Sequence, residues 1–291
     1  WETLPFDAIS PHQDLISERL AALYAMQRQE VDVLVAAVST TLHRLAPPSY
    51  LASYTFFFDK GAALDEQGLR AQLTQAGYEH VSQVVKPGEY SVRGGLLDLF
   101  PMGARLPYRL DLFGDEIESI KTFDPDTQRS LYPVDSVRLL PARELPTDEP
   151  SRQAFRGRWR ERFEGDPSRA PLYRDIADGV LGAGIEYYLP LFHDTMATLF
   201  DYLPADASIV LHGNAEDAAR HFLDDATQRY RFLSHDPERP VLSIDELFLD
   251  TESFFKGTRA FARLTMQRNT EGAATGNDAF ASALPTVSIE R

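Results

Sequence analysis

Two stretches of the chain, residues 88–101 and 108–117, alternate apolar and polar side chains with a period of two. This alternation most constrains the fold, because successive side chains of a β-strand point to opposite faces of a sheet. Glycines stand where such strands would turn, as the pair Gly94 and Gly95 and as Gly114 before an aspartate. The two stretches therefore predict a small antiparallel sheet with one apolar and one polar face.

The same alternation assigns side chains to the two faces of this sheet. The core face is predicted to hold four leucines, Leu97, Leu99, Leu110 and Leu112. The polar face is predicted to hold Arg93, Arg109, Asp111 and Phe113. Ile117 and Ile120 break the alternation, which predicts a β-bulge in the strand that carries them.

Phe113 is the unusual member of the polar face. An exposed aromatic ring beside Arg93 and Arg109 has the composition of a protein-interface anchor. If the predicted helix near Leu69 covers this face, Phe113 is instead an ordinary core residue. The residues alone favour neither alternative.

The composition limits the kind of partner that this chain can bind. The 291 residues include 44 acidic and 29 basic side chains, for a net charge of −15. Such a charge argues against nucleic-acid binding, which depends on lysine and arginine replacing counterions on phosphates. Residues 86–143 hold eight basic and nine acidic side chains, so the sheet region is nearly neutral and the acidity lies elsewhere.

Other features of the composition describe an ordinary folded protein. Hydrophobic residues make up 43% of the chain, which predicts a sizeable core. No apolar run reaches the roughly 20 residues of a membrane span, and no basic-then-apolar leader is present, so we expect a soluble protein. The absence of cysteine excludes disulfides, thiolate zinc sites and cysteine catalysis, and fits a cytoplasmic location. Because the sequence opens at Trp1, we expect a fragment of a longer protein.

Residues 1–52 read as part of an α/β layer. Ser10, followed by a proline, predicts a helix that ends near Gln27. The nearly continuous apolar run 31–38 predicts a parallel strand buried on both faces. Ser39 and the threonine after it follow this strand where open α/β sheets bind ligands, but we favour a helix-capping role for them because the chain has no phosphate-binding GxxxxGK[ST] motif.

The rest of the chain alternates further helix and strand patterns with loops. We predict strands over 54–58 and 208–211, the second of them buried, and helices over 64–76, 151–163, 215–230 and 242–255. Residues 184–192 begin a second α/β region, and from Gly257 onward small and polar residues predict a tail or linker.

No catalytic residue, metal ligand or cofactor site is predicted. The histidines are scattered, and no GxSxG motif is present. Five carboxylates could in principle hold a divalent cation: Asp98, Asp111, Asp115, Glu116 and Glu118. They alternate with Arg93, Arg105 and Arg109, however, and pairing with these arginines across strands is the better interpretation.

Residues 88–101, GEYSVRGGLLDLFP, and 113–120, FGDEIESI, closely resemble the UvrA-binding domain that UvrB shares with the bacterial transcription-repair coupling factor family, Mfd. Further segments resemble the N-terminal UvrB-homology region of Mfd rather than UvrB. They are WETLPFD at 1–7 with SPHQ at 10–13, TFDP at 122–125 with QRS at 128–130, and GIEYYLPL at 184–191. The resemblance extends to about residue 255.

The resemblance implies an α/β fold in which a degenerate UvrB-like core is interrupted by a small α+β domain with an antiparallel sheet. The implied domains are 1–52 and 142–256 for the two parts of the UvrB-like core, 53–141 for the UvrA-binding-like domain, and 257–291 for the tail. The tyrosine-rich hairpin with which UvrB probes damaged DNA has no counterpart here. A phosphate loop would lie before Trp1.

The function implied by the resemblance is non-catalytic recruitment of UvrA to stalled RNA polymerase for nucleotide excision repair. Arg93, Arg109 and Phe113 match residues that contact UvrA in the family, with Asp111 and Glu116 as neighbours. The full-length family protein is an ATP-driven DNA translocase that contacts RNA polymerase and DNA through regions not present here, and its C-terminal domain covers this face. We expect no cofactor for the present chain.

Two other functions stay open at this point. The chain could be a nucleotide-dependent DNA-processing module like UvrB, in which case it would hydrolyse ATP or bind DNA in a salt-sensitive way. It could also be a scaffold that only packs against the rest of its own polypeptide.

Overall fold

The computed structural model describes residues 3–266 of the chain, which belongs to the α/β class. Its α-helices are α1 (Gln13–Gln27), α2 (Val38–Thr41), α3 (Pro48–Ser53), α4 (Glu66–Gln75), α5 (Glu149–Arg162), α6 (Pro171–Ala177), α7 (Ala215–Leu233), α8 (Ile244–Leu247) and α9 (Thr251–Thr258). Its 3₁₀ helices are Pro167–Arg169, Ile185–Leu191 and Leu199–Tyr202. Its strands are β1 (Phe56–Asp59), β2 (Glu79–His80), β3 (Glu89–Arg93), β4 (Leu96–Leu99), β5 (Tyr108–Phe113), β6 (Glu116–Phe123), β7 (Ser130–Val134), β8 (Ser136–Leu139), β9 (Ser208–His212) and β10 (Ala262–Met266).

The predicted sheet is present, and it is larger than the alternation alone indicated. Strands β2 to β7 form one sheet in chain order, antiparallel except for the short parallel pair β2 and β3. Gly94 and Gly114 turn the chain with φ angles of 61° and 63°, a region that glycine enters without steric cost. The predicted bulge is confirmed, because the register between β5 and β6 shifts after Asp111.

The apolar face of this sheet is buried beneath two helices. Leu97, Leu99 and Leu110 are at most 1% exposed and belong to one hydrophobic cluster. That cluster also contains Leu20 of α1 and Leu73 of α4. Because α1 lies in the predicted first part of the UvrB-like core, the packing crosses the predicted boundary between residues 52 and 53.

A second core, rich in aromatic side chains, lies outside the sheet. It joins α5, the 3₁₀ helix Ile185–Leu191 and α7. Trp159 is 1% exposed and stacks on Tyr188 with ring centroids 5.5 Å apart. Burial of such large rings is a major source of folding free energy, so this half of the chain is held by its own apolar contacts.

The predicted buried strand over residues 31–38 is wrong. Residues 31–37 form no strand, and the Val35 side chain is 91% exposed. A central strand of a parallel sheet is buried because it has paired strands beside it and helices over both faces. The parallel sheet of the described chain consists of β9 and β10 alone, and residues 31–37 do not pair with it. The capping role for Ser39 and Thr40 is also wrong, since Ala37 is the N-cap of α2.

Several predicted boundaries also differ in the structure. His12 caps α1 in place of Ser10, because its ring nitrogen accepts a hydrogen bond from the Asp14 backbone N–H. The single helix predicted over 242–255 is two helices, since Ser243 and Asp250 each cap a new start.

The remaining differences lie in the strands near the end of the described chain. Strand β9 is not buried as predicted, and Val210 is 53% exposed. In the predicted tail, residues 257–266 instead complete α9 and form β10, which pairs in parallel with β9. The part of the predicted tail after residue 266 lies outside the described residues. No helix of the described chain is long and apolar enough to cross a membrane.

Candidate protein-binding face of the sheet

The site predicted from the sequence lies on the face of the sheet opposite the leucine core. In the strand register, Asp98 of β4 stands between Ser91 of β3 and Arg109 of β5. Two residues along β4, Leu96 stands between Arg93 and Asp111. Side chains that are directly opposite in adjacent strands share a face. We call Arg93, Asp98, Arg109, Asp111 and Phe113 the polar face.

Asp98 lies at the centre of the polar face and is only 1% exposed. Arg93 Nη2 donates a hydrogen bond to Asp98 Oδ2 over 2.8 Å. Arg109 donates two bonds, from Nε to Oδ1 over 2.7 Å and from Nη2 to Oδ2 over 2.8 Å. One buried carboxylate therefore binds two guanidinium groups, one of them in the bidentate geometry that favours strong pairing. The predicted cross-strand pairing is confirmed for these two arginines, but Arg105 makes no ion pair within the described chain.

The two arginines differ in how firmly they are held. The Arg109 side chain is 16% exposed, donates a further bond to the Gln128 carbonyl over 3.1 Å, and lies 4.7 Å from the Phe123 ring centroid. Its hydrogen bonds to Asp98 raise the pKa of the Arg109 guanidinium, and burial opposes this effect. The Arg93 side chain is 52% exposed. Arg93 is therefore the arginine that solvent or a partner can reach.

Asp111 extends the polar face toward β6. It accepts hydrogen bonds from Ser119 Oγ and, over 3.0 Å, from Lys121 Nζ. Burial alone would raise the pKa of Asp111, but the hydrogen bonds from Ser119 and Lys121 outweigh it and lower the pKa below its ordinary value. Asp111 is therefore ionised and paired at neutral pH. Ser119 and Lys121 are not among the site residues predicted from sequence, although the hairpin register opposite Asp111 could have indicated them.

Phe113 ends β5 at the tip of the hairpin, directly before the Gly114 turn. Its side chain is 80% exposed, and its strand partner is Glu116. The helix α4, which could have covered Phe113, packs through Leu69 and Leu73 against the other face of the sheet. The question left open by the sequence is thus settled in favour of an exposed ring.

A hollow of about 430 Å³ lies beside the Phe113 ring. Its lining residues are Lys60, Gly61, Phe113, Glu116, Ile117 and Glu118. Two backbone hydrogen bonds fix the loop after β1 along this hairpin, from Gly61 N–H to the Ile117 carbonyl over 2.8 Å and from Leu64 N–H to the Asp115 carbonyl over 2.6 Å. Lys60 is not among the site residues predicted from sequence, because no local pattern indicates that the end of β1 returns to this hairpin.

The structure therefore brings four of the predicted residues onto one face and places Glu116 across the hairpin from Phe113. Their role in partner binding stays a prediction. Among residues 3–266, no three His, Cys, Asp or Glu side chains are grouped so that they could hold a metal ion. The central carboxylate, Asp98, is instead committed to two arginines.

The sheet lies within a segment that matches a known domain family. A family model described as the UvrB interaction domain matches residues 56–145, a range that includes the whole six-stranded sheet. The transcription-repair-coupling factor of Haemophilus influenzae is 44% identical over 293 residues, which cover 100% of this chain and 26% of that protein. The corresponding protein of Escherichia coli is 43% identical over 268 residues, 92% of this chain and 23% of that protein.

A more distant relative shows the same relationship. The transcription-repair-coupling factor of Myxococcus xanthus is 35% identical over 211 residues, which cover 69% of this chain and 17% of that protein. The present chain thus spans about a quarter or less of the length of these curated relatives.

Proposed function

The chain belongs to the family of transcription-repair coupling factors, within which it corresponds to the N-terminal UvrB-homology region, and we propose that it is the module that recruits UvrA. One observation carries the proposal: Phe113 is 80% exposed on the same face of the sheet as the Asp98 ion-pair cluster, within the range that matches the UvrB interaction domain. In this function the module links a coupling factor at stalled RNA polymerase to nucleotide excision repair.

The exposed ring is the anchor of the proposed interface. An exposed aromatic side chain gains free energy when a partner buries it. Exposed aromatic residues are therefore enriched among binding hot spots. The strand β5 and the tight Gly114 turn fix the backbone of Phe113 before binding. Preorganisation of this kind lowers the entropy lost on association. The hollow beside Phe113 provides room for a partner side chain next to the ring.

The charge distribution supports a protein partner. The net charge of −15 would repel the phosphates of DNA, whereas the polar face combines the half-exposed Arg93 with paired carboxylates and one apolar ring. A mixed face of this kind can determine register and orientation against a protein surface. DNA contact, RNA polymerase contact and ATP-driven translocation are assigned in this proposal to the parts of a coupling factor that lie outside the present sequence.

The module itself is proposed to be a non-catalytic, cytoplasmic protein that needs no cofactor. In the full-length protein, the C-terminal domain of the same chain would cover the polar face until the motor engages. Of the five predicted contacts, Arg93 and Phe113 would touch UvrA directly, since their side chains are the most accessible on the polar face. Asp111 and Glu116 would border the contact.

The experiment is calorimetric titration of UvrA with the present chain and with Arg93→Ala and Phe113→Ala. Each variant is expected to weaken binding at least about tenfold, which corresponds to the loss of one hot-spot contact. Matched controls are Phe57→Ala, a 60% exposed ring on β1, which belongs to a different sheet, and Arg105→Ala, an exposed arginine that lacks an ion pair within the described chain.

Both controls are expected to bind UvrA like the unmodified chain. Failure of the unmodified chain to bind UvrA would overturn the proposed function and would favour the scaffold alternative. Unchanged binding by folded Arg93→Ala and Phe113→Ala variants would overturn the assignment of the polar face.

A further inference from the structure

We infer that Asp98 is the positioning residue of the polar face: it orients Arg93 toward an acidic group of UvrA, while Arg109 holds the Asp98 carboxylate in place. This inference rests on the proposed function and concerns the same face. Asp98 itself is 1% exposed, so it cannot be a substantial contact for a partner. Its effect on binding must therefore act through the two guanidinium groups that it holds.

The geometry gives the two arginines different roles: Arg109 is fixed in the sheet, and Arg93 is accessible to a partner. Both Nη2 atoms lie 2.8 Å from the same oxygen, Asp98 Oδ2, so the two cations are close neighbours that share one carboxylate oxygen. Arg109 is further fixed by the Gln128 carbonyl and the Phe123 ring, and its side chain is 16% exposed. Arg93 has one bond to the carboxylate and leaves most of its donors toward solvent. A guanidinium group has five N–H donors, so Arg93 can bind Asp98 and a partner together.

The charges of this cluster define the chemistry of the partner. Two arginines and one buried carboxylate leave a single positive charge, and Arg93 is where that charge meets solvent. Phe113 lies on the same face of the sheet, two positions beyond the Asp111 that aligns with Arg93 through Leu96. The surface that fits this face carries one carboxylate opposite Arg93 and an apolar depression opposite Phe113.

A positioning role for Asp98 and a simple requirement for positive charge predict opposite effects of Asp98→Asn on UvrA binding. If the face only needed positive charge, Asp98→Asn would strengthen binding to an acidic group. If Asp98 positions Arg93, the same change lets the two guanidinium groups repel each other and turns Arg93 away from its binding orientation. We expect Asp98→Asn to weaken UvrA binding roughly tenfold, as loss of one charged hydrogen-bond contact would.

A double-mutant cycle tests whether Asp98 acts through Arg93. The dissociation constant for UvrA is measured for Asp98→Asn, for Arg93→Ala and for the double variant. Because removal of Arg93 leaves nothing for Asp98 to aim, we expect the double variant to bind as Arg93→Ala does. The matched control is Glu144→Gln, which removes the charge from another largely buried ion pair, with Arg19 of α1, outside the six-stranded sheet. It is expected to lower stability without changing UvrA binding.

A second readout does not require UvrA. The guanidinium N–H resonances of Arg93 in nuclear magnetic resonance spectra are expected to exchange slowly in the unmodified chain and rapidly in Asp98→Asn. If Asp98→Asn loses its cooperative thermal transition, Asp98→Glu replaces it. This variant keeps the charge but moves the carboxylate. A positioning role for Asp98 then predicts weaker UvrA binding, whereas an effect of net charge alone predicts unchanged binding.

Each outcome bears on one claim only. Equal or tighter UvrA binding by the folded Asp98 variant, or multiplicative effects in the double variant, would overturn the positioning role while leaving the proposed function intact. No binding by the unmodified chain would overturn the proposed function, and the Arg93 resonances would still test whether Asp98 holds this side chain.

Discussion

Ser10 Oγ donates a hydrogen bond to Glu186 Oε2 over 2.8 Å, although the two residues are 176 positions apart in sequence. Ser10 Oγ also accepts a hydrogen bond from the Gly184 backbone N–H over 3.0 Å. These bonds connect the segment before α1 to the 3₁₀ helix Ile185–Leu191. Burial raises the pKa of Glu186, and the hydrogen bonds from its own backbone N–H and from Ser10 oppose this effect. Ionisation of this carboxyl group therefore opposes folding.

We expect Glu186→Gln to stabilise the protein at neutral pH and to leave its stability nearly unchanged at about pH 4. Because the folded pKa is raised, the stability that the protonated carboxyl contributes is fully present below the ordinary glutamate pKa of 4.5. It is lost as the pH rises through the folded pKa. Glutamine cannot ionise and keeps a neutral oxygen for Ser10. Urea unfolding at both pH values checks this, and a variant less stable than the unmodified chain at neutral pH would contradict it.

Phe113→Ala is expected to change the free energy of unfolding by less than about 0.5 kcal/mol, because the ring is 80% exposed and fills no core space. Leu110→Ala is the contrasting variant on the same strand. Its side chain is 0% exposed, and its loss is expected to cost roughly 2–5 kcal/mol. Chemical denaturation measures both, and a large loss of stability in Phe113→Ala would show that the ring is packed.

The sheet and its polar face could be predicted because their signal is local. A period of two assigns Leu110 and Arg109 to opposite faces from neighbouring residues alone, and the glycine turns set the strand register. Whether the apolar run 31–38 is buried or exposed could not be predicted in this way. An apolar run becomes a central strand only when distant segments pair with it on both sides, and the described residues provide none.

The same limit applies to the candidate site. Lys60 lines the hollow beside Phe113 only because the loop after β1 bonds to the β5–β6 hairpin, a contact between segments about 50 residues apart. The exposure of Phe113 likewise depended on which face α4 covers, and alternation within one strand cannot determine the position of a helix.

His43 is expected to make the protein less stable in acid. Burial and the neighbouring positive charge of Arg19 lower the pKa of His43 from 6.5 to about 3. Because this pKa is depressed in the folded state, the stability contributed by the neutral ring is fully present above 6.5 and is lost as the pH falls toward about 3.

The variant that tests this effect is His43→Phe, which keeps an aromatic ring 4.9 Å from Phe248. We expect its free energy of unfolding to fall less steeply than that of the unmodified chain when the pH is lowered from neutral. Thermal unfolding over a pH series measures the two slopes. Equal slopes would show that His43 does not contribute to the acid sensitivity.

Arg109→Ala and Arg93→Ala are expected to differ in stability even though both arginines bind Asp98. Removing Arg109 deletes two of the three hydrogen bonds to a carboxylate that is 1% exposed, and the buried charge keeps only the half-exposed Arg93. Such a loss is expected to cost about 3 kcal/mol. Removing Arg93 leaves the bidentate Arg109 pair intact, so its cost is expected to stay near 1 kcal/mol or below, as for exposed ion pairs.

Arg109→Lys separates the charge of this support from its geometry. Lysine keeps the positive charge but cannot form the two-pronged contact with Asp98 or lie flat over Phe123, so we expect it to recover only part of the stability lost in Arg109→Ala. Urea unfolding of all three variants at neutral pH gives the comparison. Equal losses in Arg93→Ala and Arg109→Ala would contradict the unequal roles of the two arginines, and complete recovery by lysine would show that charge alone holds Asp98.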